Sequence, residues 1–319
     1  MLKAMSKFSV MSILLAAAAA ASAAQLSTDA RSAIPRDVQQ LVVIDYKVMQ
    51  NSPAAMDLRN KVTPPELKQL EEALEKSGLN DNHDVDQLAF ALFRESDAKE
   101  GEGLATVGIA QGQFSEQDVL ANFKKQKIVA ATLRTNKIYP LTHSGMVLCF
   151  VDASTMVFGR KEAVTKALDA RDGLAQNLLS NGSMMSEMQT VDSSPLWSIL
   201  DDKGTQVMMK SALGEAGSVT DFETVRKRLQ GSWYTMDFQH GVKFNLTVST
   251  GDAFTAATIS SLMSAGIMLR KMSGSDAEKL ALSDTDINSS AGQLNVHFAS
   301  TDAQFSSLLQ SPLFQSMVH

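Results

Sequence analysis

From Val242 to Ser249 the chain reads Val-Lys-Phe-Asn-Leu-Thr-Val-Ser, with an apolar residue at every second position. Side chains along a strand point alternately to opposite faces, so this segment buries one face and wets the other. Antiparallel sheets with one solvated face are built from such strands. Gln293-Leu-Asn-Val-His-Phe298 repeats the pattern, and Ser232–Phe238 leads into Val242 through the turn Gln239-His-Gly241. A hairpin is expected there, with Tyr234, Met236 and Phe238 on the buried face beside Phe244. Hairpins in place of strand–helix–strand alternation make the fold α+β rather than doubly wound.

The rest of the chain can be read in the same terms. Leu41-Val-Val-Ile-Asp-Tyr46 is a β-branched run that predicts a buried strand. Two helices follow. Thr63 caps the second, Pro64 and Pro65 open it, and Glu66 completes a capping box. Its stripe is Leu67, Leu70 and Leu74, Gly78 ends it, and Glu71, Glu72 and Glu75 form a solvated face. Strands are predicted at Gln87–Phe93 and Leu104–Ala110, joined by the charged turn Glu95–Gly103. A helix from Ser115 turns Val119, Leu120 and Phe123 inward. Ile138–Thr142, Met146–Val151 and Thr155–Phe158 form a meander, and the helix Lys161–Ala170 ends before Gly173.

The second half repeats that order. Thr205–Met209 is read as a strand, followed by helical stretches from Ser211 and from Asp221 to Leu229 and then the hairpin. A long helix from about Asp252 to Met272 is rich in Ala, Ser, Thr and Gly. Small residues let a helix lie close to a sheet, so it is expected to be the most buried helix of this half. Ser283–Ile287 and Gln293–Phe298 follow, and Ser300 is expected to cap a last helix carrying Phe305, Leu308 and Leu309. Matched elements lie roughly 140–165 residues apart, which points to an internal duplication. The fold expected is therefore α+β, two similar halves, each an antiparallel sheet covered by helices on one face. In residue numbers these are a signal peptide (1–24), a first repeat (25–173), a linker (174–204) and a second repeat (205–319). Pro195-Leu-Trp-Ser-Ile-Leu200, within that linker, has the character of a segment packed between the halves.

Ile34-Pro-Arg-Asp37 leading into Leu41–Asp45, and Ser77-Gly-Leu79 leading through Asp84-Val-Asp86 into a strand, resemble a class of uncharacterised exported bacterial proteins. The resemblance implies tandem strand–helix–strand repeats. It brings no catalytic motif and no activity.

Lys3 and Lys7 precede the apolar run Phe8–Leu15, an alanine tract and Ala21-Ser-Ala-Ala-Gln25. A basic start, a short apolar core and small residues before a cut describe an export signal, with Ala23 or Ala24 the last residue removed. No cysteine stands at that cut, so a lipid anchor of the bacterial lipoprotein kind is not expected. No later segment is expected to span a bilayer. The chain is accordingly expected in the periplasm or outside the cell. Its one cysteine, Cys149, lies among apolar neighbours and reads as a small buried hydrophobe. The net charge of −6 is well mixed along the chain and argues against nucleic acid as partner.

Candidate chemistry is sparse. Asn80, Asn82, Asp84 and Asp86 alternate like calcium-loop ligands, but Val85 stands where the loop needs glycine and Ala91 where it needs the bidentate glutamate. Met184, Met185 and Met188 could offer thioethers to Cu(I), though packing suits them better. His83, His143, His240, His297 and His319 match no zinc spacing, and no serine elbow, Walker loop or dinucleotide fingerprint is present. Asn181, Asn245 and Asn288 head glycosylation triplets that arise readily by chance in a chain rich in Ser and Thr. No catalytic, cofactor-binding or metal-binding residue is assigned, and no cofactor is expected. The function expected is a non-catalytic exported binding or scaffold module of the cell envelope, its partner a protein or an apolar ligand. The alternatives are an envelope hydrolase with a spatially assembled site and a periplasmic lipid carrier or chaperone.

Overall fold

The structure is a computed structural model and describes residues 25–63, 68, 71, 72, 74, 75, 84–94, 104–141, 145–213, 222–311 and 314. The segment expected to be a signal, most of the helix expected after Thr63, Asn80, Asn82, His83, the turn Glu95–Gly103, His143 and His319 lie outside the described residues.

The first half begins with α1 (Thr28–Ser32), β1 (Val38–Asp45), α2 (Tyr46–Met49), α3 (Pro53–Val62), β2 (Val85–Arg94) and β3 (Leu104–Gly112). It continues through α4 (Glu116–Lys125), β4 (Ala131–Leu133), β5 (Asn136–Pro140), β6 (Met146–Phe150), β7 (Thr155–Arg160) and α5 (Lys161–Arg171). Then come α6 (Gly182–Val191), β8 (Leu196–Leu200), α7 (Asp202–Leu213), α8 (Phe222–Arg226), β9 (Leu229–Asp237) and β10 (Val242–Thr250). The chain closes with α9 (Ala253–Ser273), α10 (Asp276–Ser283), β11 (Thr285–Ser290), β12 (Gln293–Ser300) and α11 (Asp302–Leu309).

All the strands join one sheet in the order β11-β12-β10-β9-β8-β1-β2-β3-β7-β6-β5-β4. Every ladder between neighbours is antiparallel. The fold is α+β with a large antiparallel sheet. The central ladder is β1 against β8, with Leu41 opposite Ile199 and Val43 opposite Trp197. Outward from that seam the order on one side is β1, β2, β3, β7, β6, β5, β4; on the other it is β8, β9, β10, β12, β11.

Four expectations change here. Thr205–Met209, read as a strand, lies inside helix α7, and the strand of this stretch is Leu196–Leu200. Thr205, Met209 and Leu213 are buried at steps of four, a helical period hidden by the β-branched look of a short window. The stretch 174–204 is thus no spacer, since it carries α6 and the seam strand β8. Trp197, the second residue of β8, is fully buried.

The covering also varies along the sheet. On β10, Val242, Leu246 and Val248 are buried while Lys243 and Asn245 are exposed, so this strand has helices on one face and water on the other, whereas β8 and β9 also carry α6 on that second face. The first half is covered on both. One face packs Val147, Cys149 and Val157 against α5; the other packs Leu148, Met156 and Phe158 against α4. Its strands are near-continuous apolar runs, the mark of strands buried on both sides. Lastly, α11 is capped by Thr301 with Gln304 in a capping box, not by Ser300.

Candidate functional site

Helix α9 starts at Asp252, whose side chain accepts from the Thr255 N–H (2.8 Å) and pairs with Arg228 (2.7 Å). These hydrogen bonds, the Thr255 N–H first, hold the Asp252 carboxyl down at about 2. The helix runs for 21 residues, about 31 Å at the usual rise. Thr255, Ala256 and Ile259 are buried against β10 and β12, with Leu262 and Met263 packed beside them. Nothing else in the helix is buried. The expectation that this is the most buried helix of its half is therefore corrected: its small residues line the outer side, not only the sheet.

That outer side is unusual. Phe254, Ala257, Ser261, Ala265, Met268 and Met272 recur every three or four residues and are all exposed. Phe254 is 79%, Met268 68%, Leu269 64% and Met272 76% exposed. No Asp, Glu, Lys or Arg occurs from Ala253 to Leu269. Three of the hydroxyls on the helix turn inward to its backbone. Thr258 Oγ1 donates to the Phe254 carbonyl (2.9 Å), Ser261 Oγ to Ala257 (2.9 Å) and Ser273 Oγ to Leu269 (3.1 Å). A hydroxyl bonded to the carbonyl four residues back asks little of the solvent. Charge returns only at Arg270 and Lys271, both exposed and, among the described residues, without an ion pair. Leu280 of α10, the helix that follows, is another exposed apolar side chain. By length and composition α9 is apolar enough to cross a bilayer, where no segment after the leader was expected to be. Interspersed Ser and Thr mask this in the sequence, while the absence of charge produces it.

Two polar arrangements lie elsewhere. A cleft of about 330 Å³ opens beside the end of β1, lined by Asp45, Lys47, Asp86, Gln87 and Gln111. Asp45 Oδ1 accepts from the Val48 N–H (2.9 Å) and caps α2, while Oδ2 is buried without a partner among the described residues. Burial raises the Asp45 carboxyl above its ordinary value. Lys47 donates to Asp86 at 2.7 Å, and that bond lifts its pKa. Ser154 lines the cleft, but its hydroxyl is turned to Asp152 (2.9 Å).

The second arrangement is at the seam. Glu187 on α6 and Asp201 after β8 are half-buried carboxyls, raised by burial to about 7 and about 6. The Gly204 N–H donates to Asp201 Oδ1 (2.7 Å) and Ser183 Oγ to Glu187 Oε1 (3.4 Å). The negative charge of Asp201 adds to the rise at Glu187. Gly231 leaves room for the Glu187 carboxyl, since a Cβ there would stand 3.3 Å from Oε1.

The residues weighed in the sequence are dispersed. Asp86 belongs to β2 and the Lys47 pair, and the Asp84 carbonyl accepts from the Gln113 N–H (2.9 Å). Met184 and Met188 are buried in the core with Val191 and Trp197. Cys149 is buried, which raises its thiol pKa. His240 is exposed in its turn, and exposed His297 bonds Asn245 Oδ1 through Nδ1 (2.7 Å). Asn181 caps α6 through Met184 N–H (3.2 Å). Neither the α9 face nor the Glu187–Asp201 pair was singled out from the sequence. The charge gap from Ala253 to Leu269 was the available signal for the first; the second depends on tertiary burial.

No family model matches the chain, and no curated protein matches it. Among solved structures it is similar to TP0453 in crystal forms I and III, each with a TM-score of 0.51 and 8% sequence identity. The match covers 91% and 89% of this chain and 97% and 99% of those chains. At this identity the likeness is one of fold alone, and it extends over nearly the whole α+β architecture.

Proposed function

We propose that the chain is an exported, non-catalytic binding or scaffold protein of the cell envelope, and that the outer face of α9 is its docking surface for an apolar partner. The observation that carries the reading is the exposed, charge-free side of α9. A soluble surface helix ordinarily presents charged or polar side chains there, and contiguous exposed apolar surface marks an interaction site. Export rests on the N-terminal pattern of Lys3, Lys7, an apolar core and Ala21–Ala24. The Asp45 cleft supports a hydrolase less well: its lysine is tied to Asp86 and its hydroxyl to Asp152.

The test is fractionation of the native host. Wild-type protein is expected with the envelope fraction, and the double variant Met268→Glu/Met272→Glu, shown to be folded by circular dichroism, in the soluble fraction. Equal release of wild type and variant would reject α9 as the docking surface.

A further inference from the structure

We propose that the partner of the α9 face is an anionic bilayer surface, on which the helix lies in the interfacial plane. The inference rests on the reading of α9 as a docking surface and names what it docks to. The chemistry of the face is that of an interfacial helix, which buries an apolar side at the boundary of headgroups and acyl chains. Phe254, Met268, Leu269 and Met272 supply the apolar contacts, spread over nearly the full length of the helix. Between them lie Ala and Ser, whose hydroxyls at Ser261 and Ser273 are already bonded to the helix backbone.

Charge then selects the kind of surface. The chain carries a net charge of −6, yet the apolar end of α9 is followed directly by Arg270 and Lys271. Both are exposed and unpaired among the described residues. Long basic side chains beside an apolar patch can lay their methylenes on it and carry their charge to headgroup phosphates. An acidic protein with a basic, apolar tip complements an anionic membrane better than a neutral one.

Area separates a membrane from a protein partner. A stable protein interface takes roughly 20–30 residues a side. The exposed residues of α9 number twelve, well short of that, and Leu280 of the next helix is the exposed apolar residue that follows them. Such a face covers little of a rigid partner but can sink into a deformable lipid phase. Orientation follows from packing. Ile259, Leu262 and Met263 hold α9 on β10 and β12, so it meets the bilayer lying flat and does not cross it while the sheet is intact.

The experiment is flotation of the purified mature protein with vesicles of phosphatidylethanolamine and phosphatidylglycerol, or of phosphatidylcholine alone. Wild type is expected to float with the anionic vesicles and to bind neutral ones at least tenfold more weakly. Met268→Glu/Met272→Glu should lose binding to both, and Arg270→Gln/Lys271→Gln should bind the two kinds of vesicle alike. All variants are compared with wild type by thermal melting, so a misfolded one is recognised. If wild type floats with neither vesicle while Met268→Glu/Met272→Glu still releases it from the host envelope, the docking surface stands and the lipid partner is overturned. A wild-type dimer in light scattering that the same variant converts to monomer, without flotation, overturns it in favour of a second copy. Should the glutamates change neither flotation nor fractionation, the docking surface itself falls.

Discussion

Replacing Glu187 by Gln should stabilise the protein above neutral pH and leave it unchanged in acid. The Glu187 carboxyl is enclosed between α6 and the Gly231 position of β9, and burial is the largest influence on it, with the charge of Asp201 adding to the same effect. Moving its pKa from the ordinary 4.5 to about 7 means the charged form is disfavoured in the folded state by about 3 kcal/mol, at ~1.4 kcal/mol per tenfold. The sign follows from proton uptake. Between about pH 4.5 and pH 7 the folded state holds more protons than the unfolded chain, so stability falls as pH rises through that window and levels off above it. Asp201, raised to about 6, contributes in the same direction. Glutamine keeps the shape and the acceptor for Ser183 but carries no charge. Denaturant melts of wild type and Glu187→Gln at pH 4 and pH 8 should therefore coincide at the lower pH and differ by about 1–3 kcal/mol in favour of the variant at the higher one. A variant less stable than wild type at pH 8, or a gap independent of pH, would refute the reasoning.

Core and surface changes test the packing. Phe244 is half-buried against Tyr234, with ring centroids 5.8 Å apart, so Phe244→Ala should cost about 3 kcal/mol in denaturant melts, near the lower end for emptying an aromatic site. His240→Ala, in the exposed turn, should stay within about 0.5 kcal/mol of wild type. Trp197→Ala, at the fully buried seam, should cost about 4–5 kcal/mol and be the most damaging of the three; a smaller effect than that of Phe244→Ala would mean the seam is not a shared core.

How much of this could be read from the chain depends on where the determinants lie. Strict alternation in Val242–Ser249 and the glycine at Gly241, with φ of +85°, prescribe the hairpin locally, and the hairpin forms as read. Asp252 is a local cap, and α9 begins one residue later. The seam was harder. Leu-Trp-Ser-Ile-Leu is too short to tell a strand from a linker, and only its pairing with β1 and β9 makes it one. Thr205–Met209 failed because five residues cover too little of a helical period. The outer side of α9 was hidden for a different reason: small residues are compatible both with close packing on a sheet and with an exposed face, and the choice is made by which side Ile259 and Ala256 take. Glu187 carries no local mark at all, because its environment is assembled from α6, β8 and β9.

The central claim, that the outer face of α9 is covered where the protein works, can be measured directly. Cys149 is buried and is the chain's one cysteine, so Cys149→Ser gives a background in which a single new thiol reports its own surroundings. Met268→Cys places that thiol on the α9 face, and Lys243→Cys places it on the wet face of the sheet. Both should react quickly with a hydrophilic maleimide in the purified protein. In the native host envelope, opened so that the reagent has access, labelling at position 268 should slow at least tenfold while labelling at 243 keeps its rate. Equal rates at position 268 in the two settings would contradict the account.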